Sequence, residues 1–476
     1  MAYRQVERKQ RCLFPESLDE YVTAEDPVRA YDAFVDALDL DALGIVFDPH
    51  KVGCPQYDPR VMLKILVYGY SYGIRSSRKL ERALHHNVSF IWLAGGLKPD
   101  FKTIARFRRD QRQALRKVLK QCALLCIELD LIAGNTLFID GSKFRGNVSL
   151  KNLWTVERCQ RHLARIDERI EAILSECDAT DEQEADSGSL VQLQEQLQKN
   201  EKLKAKVEKA LEKLQSEKLD QFNTTDPESA RMHSRQGSHA GYNAQIVVDD
   251  QHGLILHSDV VNDNNDLGQF ADQIDQANQT LDSPCQVACG DAGFANANEL
   301  EKIYAQGIEV IVPSSKQAQG KASGPFDKSR FFYEAQQDVY ICPEGVILPF
   351  RRLNGPKGQR EYYPGRNICN NCPHFGTCTN NITTGRKIIR YENEAFREKL
   401  AAHYEEPGSQ AVYQRRKEKA ELPFGHLKRN LGVDSFLLRG LAGVRAEMSL
   451  LSSCFNMVRL IGLFGVSGLI DRLLLL

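Results

Sequence analysis

The 476-residue chain shows little that reads as an export signal or a membrane span. Its opening, MAYRQVERKQRCLFPE, is charged and has no apolar segment of the kind a secretory signal needs. Its most apolar stretch, EMSLLSSCFNMVRLIGLFGVSGLIDRLLLL, is interrupted by Arg459, Asp471 and Arg472. No clean run reaches the ~18–20 apolar residues of a membrane span, so this stretch reads as a buried helix pair. An excess of charge is also missing: 62 basic residues meet 63 acidic ones, for a net charge of −1. That balance does not by itself advertise a polyanion-binding surface. The cysteines number 13, an odd count, and without a signal segment they argue for reduced thiols rather than a disulfide framework. A soluble, cytoplasmic protein is the expectation, with no membrane partner.

What is present is enough apolar material, 42% of residues, for at least one large core, in a length that suits two to four domains. The charge is unevenly spread. Lys102–Lys120, KTIARFRRDQRQALRKVLK, carries eight Lys and Arg against one Asp, while acidic residues collect in DATDEQEADSGS at 178–189.

The chain divides by texture. Residues 1–130 read as short helices, two of them opening Asp-Pro, which suits an N-cap followed by a first-turn proline. With their basic third element they suit a helix-turn-helix-like DNA-binding region, with Arg106, Arg108 and Arg109 as candidate DNA contacts. NTLFIDGSKF at 135–144 is a β-type run ending at Asp140-Gly141. Residues 156–219 read as an antiparallel helical hairpin, because apolar positions recur at three and four. GYNAQIVVDDQHGLILHSDVV at 241–261 is a β-hairpin, and strand–helix–strand alternation follows to 315, implying a mixed α/β sheet. Residues 316–395 are polar, turn-rich and hold a cysteine cluster; 396–476 are helical again. The expected core is thus 131–155 with 220–315, completed by the helices of 396–476.

Asp140 and Asp291 each sit where a predicted strand ends, the place where α/β sheets put their active sites. A third carboxylate on a helix against that sheet would complete an oxygen cage suited to Mg²⁺. Asp before Gly is equally a common turn former. The candidates for the third acid lie in YQRRKEKAELPFGHLKRNLG, 413–432, which holds Glu418 and Glu421. At ~100° per residue they lie only ~60° apart, so rotation does not choose between them. Pro423 disfavours a regular helix through Leu422.

The pattern Tyr413-x2-Arg416-x4-Glu421-x6-Lys428 resembles the Tyr-Arg-Glu-Lys signature of bacterial insertion-sequence DDE transposases. ELPFGHLKR is similar to that family's Glu-x-x-Phe-Gly-x-x-Lys core. The commonest form has three residues between Arg and Glu where this chain has four, which leaves Lys417 as an alternative to Arg416. FIDGSKFRGN resembles the family's first-Asp strand, CGDAGFAN its second, and GYNAQIVVDDQHGLI the hairpin between them. The likeness runs over about residues 10–465. It implies an RNase H-like catalytic core, with an all-α N-terminal domain, the inserted hairpin and a Cys-rich insertion before the Glu helix. It further implies Asp140, Asp291 and Glu421 as a catalytic triad holding Mg²⁺ or Mn²⁺, and Tyr413, Arg416 and Lys428 as contacts to DNA phosphates. The implied activity is cleavage at transposon ends and joining of the 3′-OH to target DNA. Double-stranded DNA is the partner, and a homodimer or larger assembly brings two ends together near the bacterial nucleoid. A binding-only derivative of the fold and a metal-dependent nuclease are the competing readings.

Cys342, Cys369, Cys372 and Cys378 give C-x26-C-x2-C-x5-C, four thiols suited to a structural Zn²⁺, with His374 able to replace one. Such a metal would stabilise an insertion that otherwise lacks a core. The remaining cysteines read as core or surface thiols. His239 reads as structural or as a DNA or carboxylate contact, and Asp226 as a helix cap.

Overall fold

The computed structural model describes residues 17–45, 56–182, 187–234, 237–320, 324–355, 358–365 and 367–476, without the side chains of 177–191. Expectations about the opening stretch, about Cys12, Cys54 and Cys177, and about the acidic residues joining the hairpin arms fall outside the described residues.

The N-terminal helices are α1 (Pro27–Asp36), α2 (Leu40–Leu43), α3 (Pro59–Ser71), α4 (Ser77–His86), α5 (Val88–Leu93), α6 (Phe101–Asp110) and α7 (Arg112–Glu128). Both Asp-Pro pairs act as expected. Asp26 accepts from the Val28 amide and Asp58 from the Arg60 amide, satisfying donors that a helix start leaves unpaired. The basic stretch that reads as one helix is two, broken at Gln111.

Strand β1 (Thr136–Arg145) is followed by β2 (Leu153–Trp154), then the paired helices α8 (Val156–Glu182) and α9 (Ser187–Ser216), then β3 (Phe222–Asn223), which pairs with β2. Next come β4 (Ala230–Ser234), β5 (Gly237–Asp249), β6 (Ile255–Val261), α10 (Phe270–Leu281), β7 (Val287–Cys289), α11 (Ala297–Tyr304), β8 (Glu309–Ile311) and the short α12 (Ser315–Ala318). The main sheet runs β4-β5-β1-β7-β8, with β6 also on β5. β5 is antiparallel to β1, β4 and β6, whereas β7 is parallel to both β1 and β8.

Residues 332–391 are not coreless. They hold β9 (Phe332–Glu334), β10 (Val339–Ile341), β11 (Ile347–Asn354), β12 (Gln359–Tyr362) and β13 (Ile388–Tyr391), an antiparallel sheet among the described residues. Phe331, Tyr340, Leu348, Tyr362 and Ile388 pack into its own small core, and Asp338 ties in the Tyr333 and Tyr362 hydroxyls at 2.7 Å each.

Three helices close the chain: α13 (Glu394–Tyr404), α14 (Pro407–Gly425) and α15 (Leu441–Leu473). α15 is long and apolar enough, by length and composition, to cross a membrane. Here it packs against α7, α3, α1 and β6, with Gly443–Met457 largely buried. Each fully buried aliphatic or aromatic side chain contributes ~1.5–3 kcal/mol, so this helix is the spine of the core. Gly465, at φ 70° and ψ 177°, breaks it into the expected pair. One continuous apolar cluster joins Val22 in the N-terminal region, the sheet and Leu473.

Candidate active site

Pairing carries the two aspartates to the same end of the sheet. Phe138 of β1 lies opposite Cys289 of β7 in parallel register. Asp140 and Asp291 occupy the next positions with the same parity on neighbouring chain segments. Asp140 does not close its strand. β1 continues to Arg145 because β5 pairs with it as far as Gly241, so Asp140-Gly141 is extended chain and not a turn. Asp291 does leave its strand, and its Oδ1 accepts from the Gly293 amide at 2.8 Å.

α14 lies across this end of the sheet. It buries Ser409, Tyr413, Arg416, Ala420, Pro423 and Phe424, spaced by one, three and four residues, against β1, β5 and β7. That face fixes what rotation alone left open. Counting ~100° per residue from its centre, Glu421 falls on the flank and Glu418 on the opposite, solvent side. Pro423 stays inside the helix, and a five-residue π turn, His426–Asn430, follows at once.

Arg416 sits between the acids. Its guanidinium is 3.9 Å from Asp140 and 3.6 Å from Glu421, and only 4% of the residue is exposed. Its Nε and Nη1 are buried without a hydrogen-bond partner among the described residues. Lys417, the alternative in the signature, is exposed. Asp140 is buried, which pushes its carboxyl up to about 7; Arg416 opposes that rise, and Asp291 and Glu421 add to it. Lys428, carried by the π turn, donates to Ser142 Oγ at 2.6 Å, and burial lowers its pKa.

Two sequence assignments to DNA meet buried side chains. Tyr413 packs edge-on to Tyr404 in a cluster with Phe138, Cys289 and Ile311, which leaves it behind Arg416 and off the surface. Arg108 is buried and donates to the Tyr70 hydroxyl and the Arg75 carbonyl; Arg106 and Arg109 remain exposed, the latter paired with Asp110. Asp226 caps no helix of its own. It accepts from the Tyr242 hydroxyl and, with Glu228, from the first amides of α15, at Gly440 and Leu441. His239 has both ring nitrogens buried without a partner among the described residues, and burial lowers its pKa.

Among the described residues, no three His, Cys, Asp or Glu side chains are gathered closely enough to hold an ion. The donor sets nevertheless suit the two metals differently. Asp140 and Asp291 offer hard oxygens, and Asp140 has no cation within hydrogen-bond distance to relieve its burial. Cys342, Cys369, Cys372 and Cys378 line one cavity of about 30 Å³ with His374. Backbone amides of Val346 and Arg386 donate to the sulfurs of Cys342 and Cys369, at 3.3 and 3.4 Å.

A group the sequence reading passed over lies beneath β1. Asp266 accepts from Lys143, Asn243 and Gln245. Its signal was present: Asn243 and Gln245 are polar at a spacing of two in an otherwise apolar strand, yet both are fully buried.

Residues 16–110 match the family model of a transposase domain (DUF772), and residues 341–461 match that of a transposase DDE domain. No curated protein matches the chain. Among solved structures, a piggyBac transposase in a synaptic complex with hairpin DNA aligns at 8% identity and a TM-score of 0.34, covering 94% of this chain and 78% of that one.

Proposed function

The chain belongs to the DDE transposases, and on that premise we propose that it cleaves DNA at transposon ends and joins the freed 3′-OH to target DNA. The observation that carries this is the convergence on Arg416 of carboxylates from positions 140 and 421, with 291 just past the end of the strand that pairs with that of 140. A binding protein has no need to gather acids where DNA phosphates must approach. The strand order, three antiparallel strands continued by two parallel ones, supports an RNase H-like core.

Asp140, Asp291 and Glu421 would hold Mg²⁺ or Mn²⁺, which supplies activation of the attacking oxygen and stabilisation of the leaving one. The chain's own contribution is orientation. Arg416 presents unpartnered donors toward the acids from a buried, fixed position, suited to a phosphate oxygen. The Tyr413 ring backs it, at 5.2 Å from the guanidinium carbon. Lys428 places a cation beside Ser142 on the same strand as Asp140. Exposed Arg106 and Arg109 are kept as contacts to the DNA backbone, and two bound ends call for a dimer or larger assembly near the nucleoid.

Strand transfer with Mg²⁺ on the inverted repeats flanking the gene tests this reading. Wild type and Glu418→Gln should join ends, and Glu421→Gln should lose at least a hundredfold in rate. Joining that survives in Glu421→Gln removes the triad; ends bound without cutting favour a regulatory role, and cutting without joining a nuclease. The cysteine module should carry one zinc per chain by elemental analysis, and Cys369→Ser with Cys372→Ser should lose it. A metal content near zero in protein purified without chelator sinks that assignment.

A further inference from the structure

We infer that Asp266 is a positioning residue that sets the relative placement of Asp140 and Asp291; the inference rests on the transposase reading above. The acid lies against the residue after Asp140 and near the loop after Asp291. A Cβ at position 141 would lie 2.6 Å from Asp266 Oδ1 and 2.8 Å from Gln245 Nε2, so a larger residue directly after Asp140 displaces those side chains. A Cβ at position 293 would lie 2.9 Å from Asp291 Oδ1 and 3.6 Å from Asp266 Oδ2. Gly293 is also the residue whose amide holds the Asp291 carboxylate. One side chain therefore props the strand at Asp140 and the loop at Asp291.

The prop is itself braced. Oδ1 accepts from Asn243 at 2.6 Å and Gln245 at 2.8 Å, both from the fully buried face of β5, and Oδ2 faces Lys143 at 3.1 Å. These bonds engage both oxygens, which suits a fixed support and not a group that must turn to a ligand. Their rigidity has a chemical use. Carboxylates that share a cation must be held to within a fraction of an ångström, and the residues behind them set that tolerance. Lys143 stands on the same strand as Asp140, so one brace of the support is tied to the acid it supports.

The test uses full-length protein with Mn²⁺ as the probe, in wild type, Asp266→Asn, Asp266→Ala and Gly141→Ala. Mn²⁺ binding is read by electron paramagnetic resonance, metal-free binding of end DNA by fluorescence anisotropy, and folding by thermal unfolding. A positioning role weakens Mn²⁺ binding at least tenfold in Asp266→Ala and Gly141→Ala, and less in Asp266→Asn, with DNA binding unchanged within twofold. It also raises the Mn²⁺ concentration that half-saturates cleavage, a readout that lost stability alone does not move. Should Asp266→Ala unfold, Gly141→Ala and Asp266→Asn carry the test. Mn²⁺ affinity equal to wild type in the folded variants overturns the inference. Wild type that binds Mn²⁺ but never cuts DNA refutes the transposase reading and leaves the Mn²⁺ comparison to judge Asp266. Wild type that binds no Mn²⁺ overturns both.

Discussion

At the scale of single residues, the molecule buries charge where it needs a fixed arrangement. Arg416 is the clearest case. Its side chain stays in a nearly closed site because the acids around it repay part of its desolvation, and its unused donors face the same place. His257 shows the opposite balance, away from that site. Burial pushes it down to about 4; Asp259 and Gln273 act against the fall, whereas Arg116 and Arg445 add to it. The unfolded imidazole takes its proton near 6.5, so between these values the unfolded chain binds more protons. The contribution of His257 to stability is complete above about pH 6.5 and is lost as the pH falls toward 4. We expect a loss on the order of 3 kcal/mol across that window in wild type, and a flatter pH dependence of the urea midpoint in His257→Gln. Equal slopes in the two proteins would remove His257 as the cause.

At the scale of elements, short contacts join pieces that are distant in sequence. Asn456 of α15 both donates to and accepts from the Ile255 backbone, which closes hydrogen bonds that the edge strand β6 would otherwise leave open. The α8–α9 hairpin is more self-contained. Trp154, Cys159, Ile166, Val207, Ala210, Leu214 and Phe222 make a core separate from the main one, and its two roots are held together by the β2–β3 pair. Replacing residues 159–211 by a short Gly-Ser linker should therefore shift the main thermal transition by only a few degrees. A collapse of the whole fold on excision would show that the hairpin supports the sheet.

At the scale of the whole molecule, the N-terminal helices and the sheet share one apolar core. α15 fills the space between α1, α3, α7 and β6. The buried pair Arg75–Glu447, at 2.8 Å, ties α15 to the N-terminal region. Glu447 also accepts from the amides of Leu437 and Leu438, and the adjoining Ser435 bridges to Arg145 at the end of β1. A fragment of residues 1–130 lacks this helix and would expose the core that it covers. We expect that fragment to show no cooperative unfolding by circular dichroism, whereas the full chain shows it; a sharp transition in the fragment would mean an independent domain.

Much of this was legible in the sequence because the signals are local. Asp-Pro caps, the 241–261 hairpin and the three- and four-residue periods of the helices depend on neighbours within a turn or two. The motifs around Asp140, Asp291 and Glu421 carried the family. What the sequence could not decide depended on contacts between distant segments. Whether Glu418 or Glu421 faces the acids was set by which side of α14 the sheet buries. Arg108 and Tyr413 have the composition of surface contacts and were taken inside by packing against α3 and α13. A polar, turn-rich stretch acquired a core because its few aromatic residues meet across five strands. Asp266 gains partners only because the register of β1 against β5 brings Lys143, Asn243 and Gln245 together beside it. Local sequence determined which elements form, since propensity and capping act over a few residues. Tertiary structure decided which side chains meet, since burial chooses a face only when another element is there to cover it.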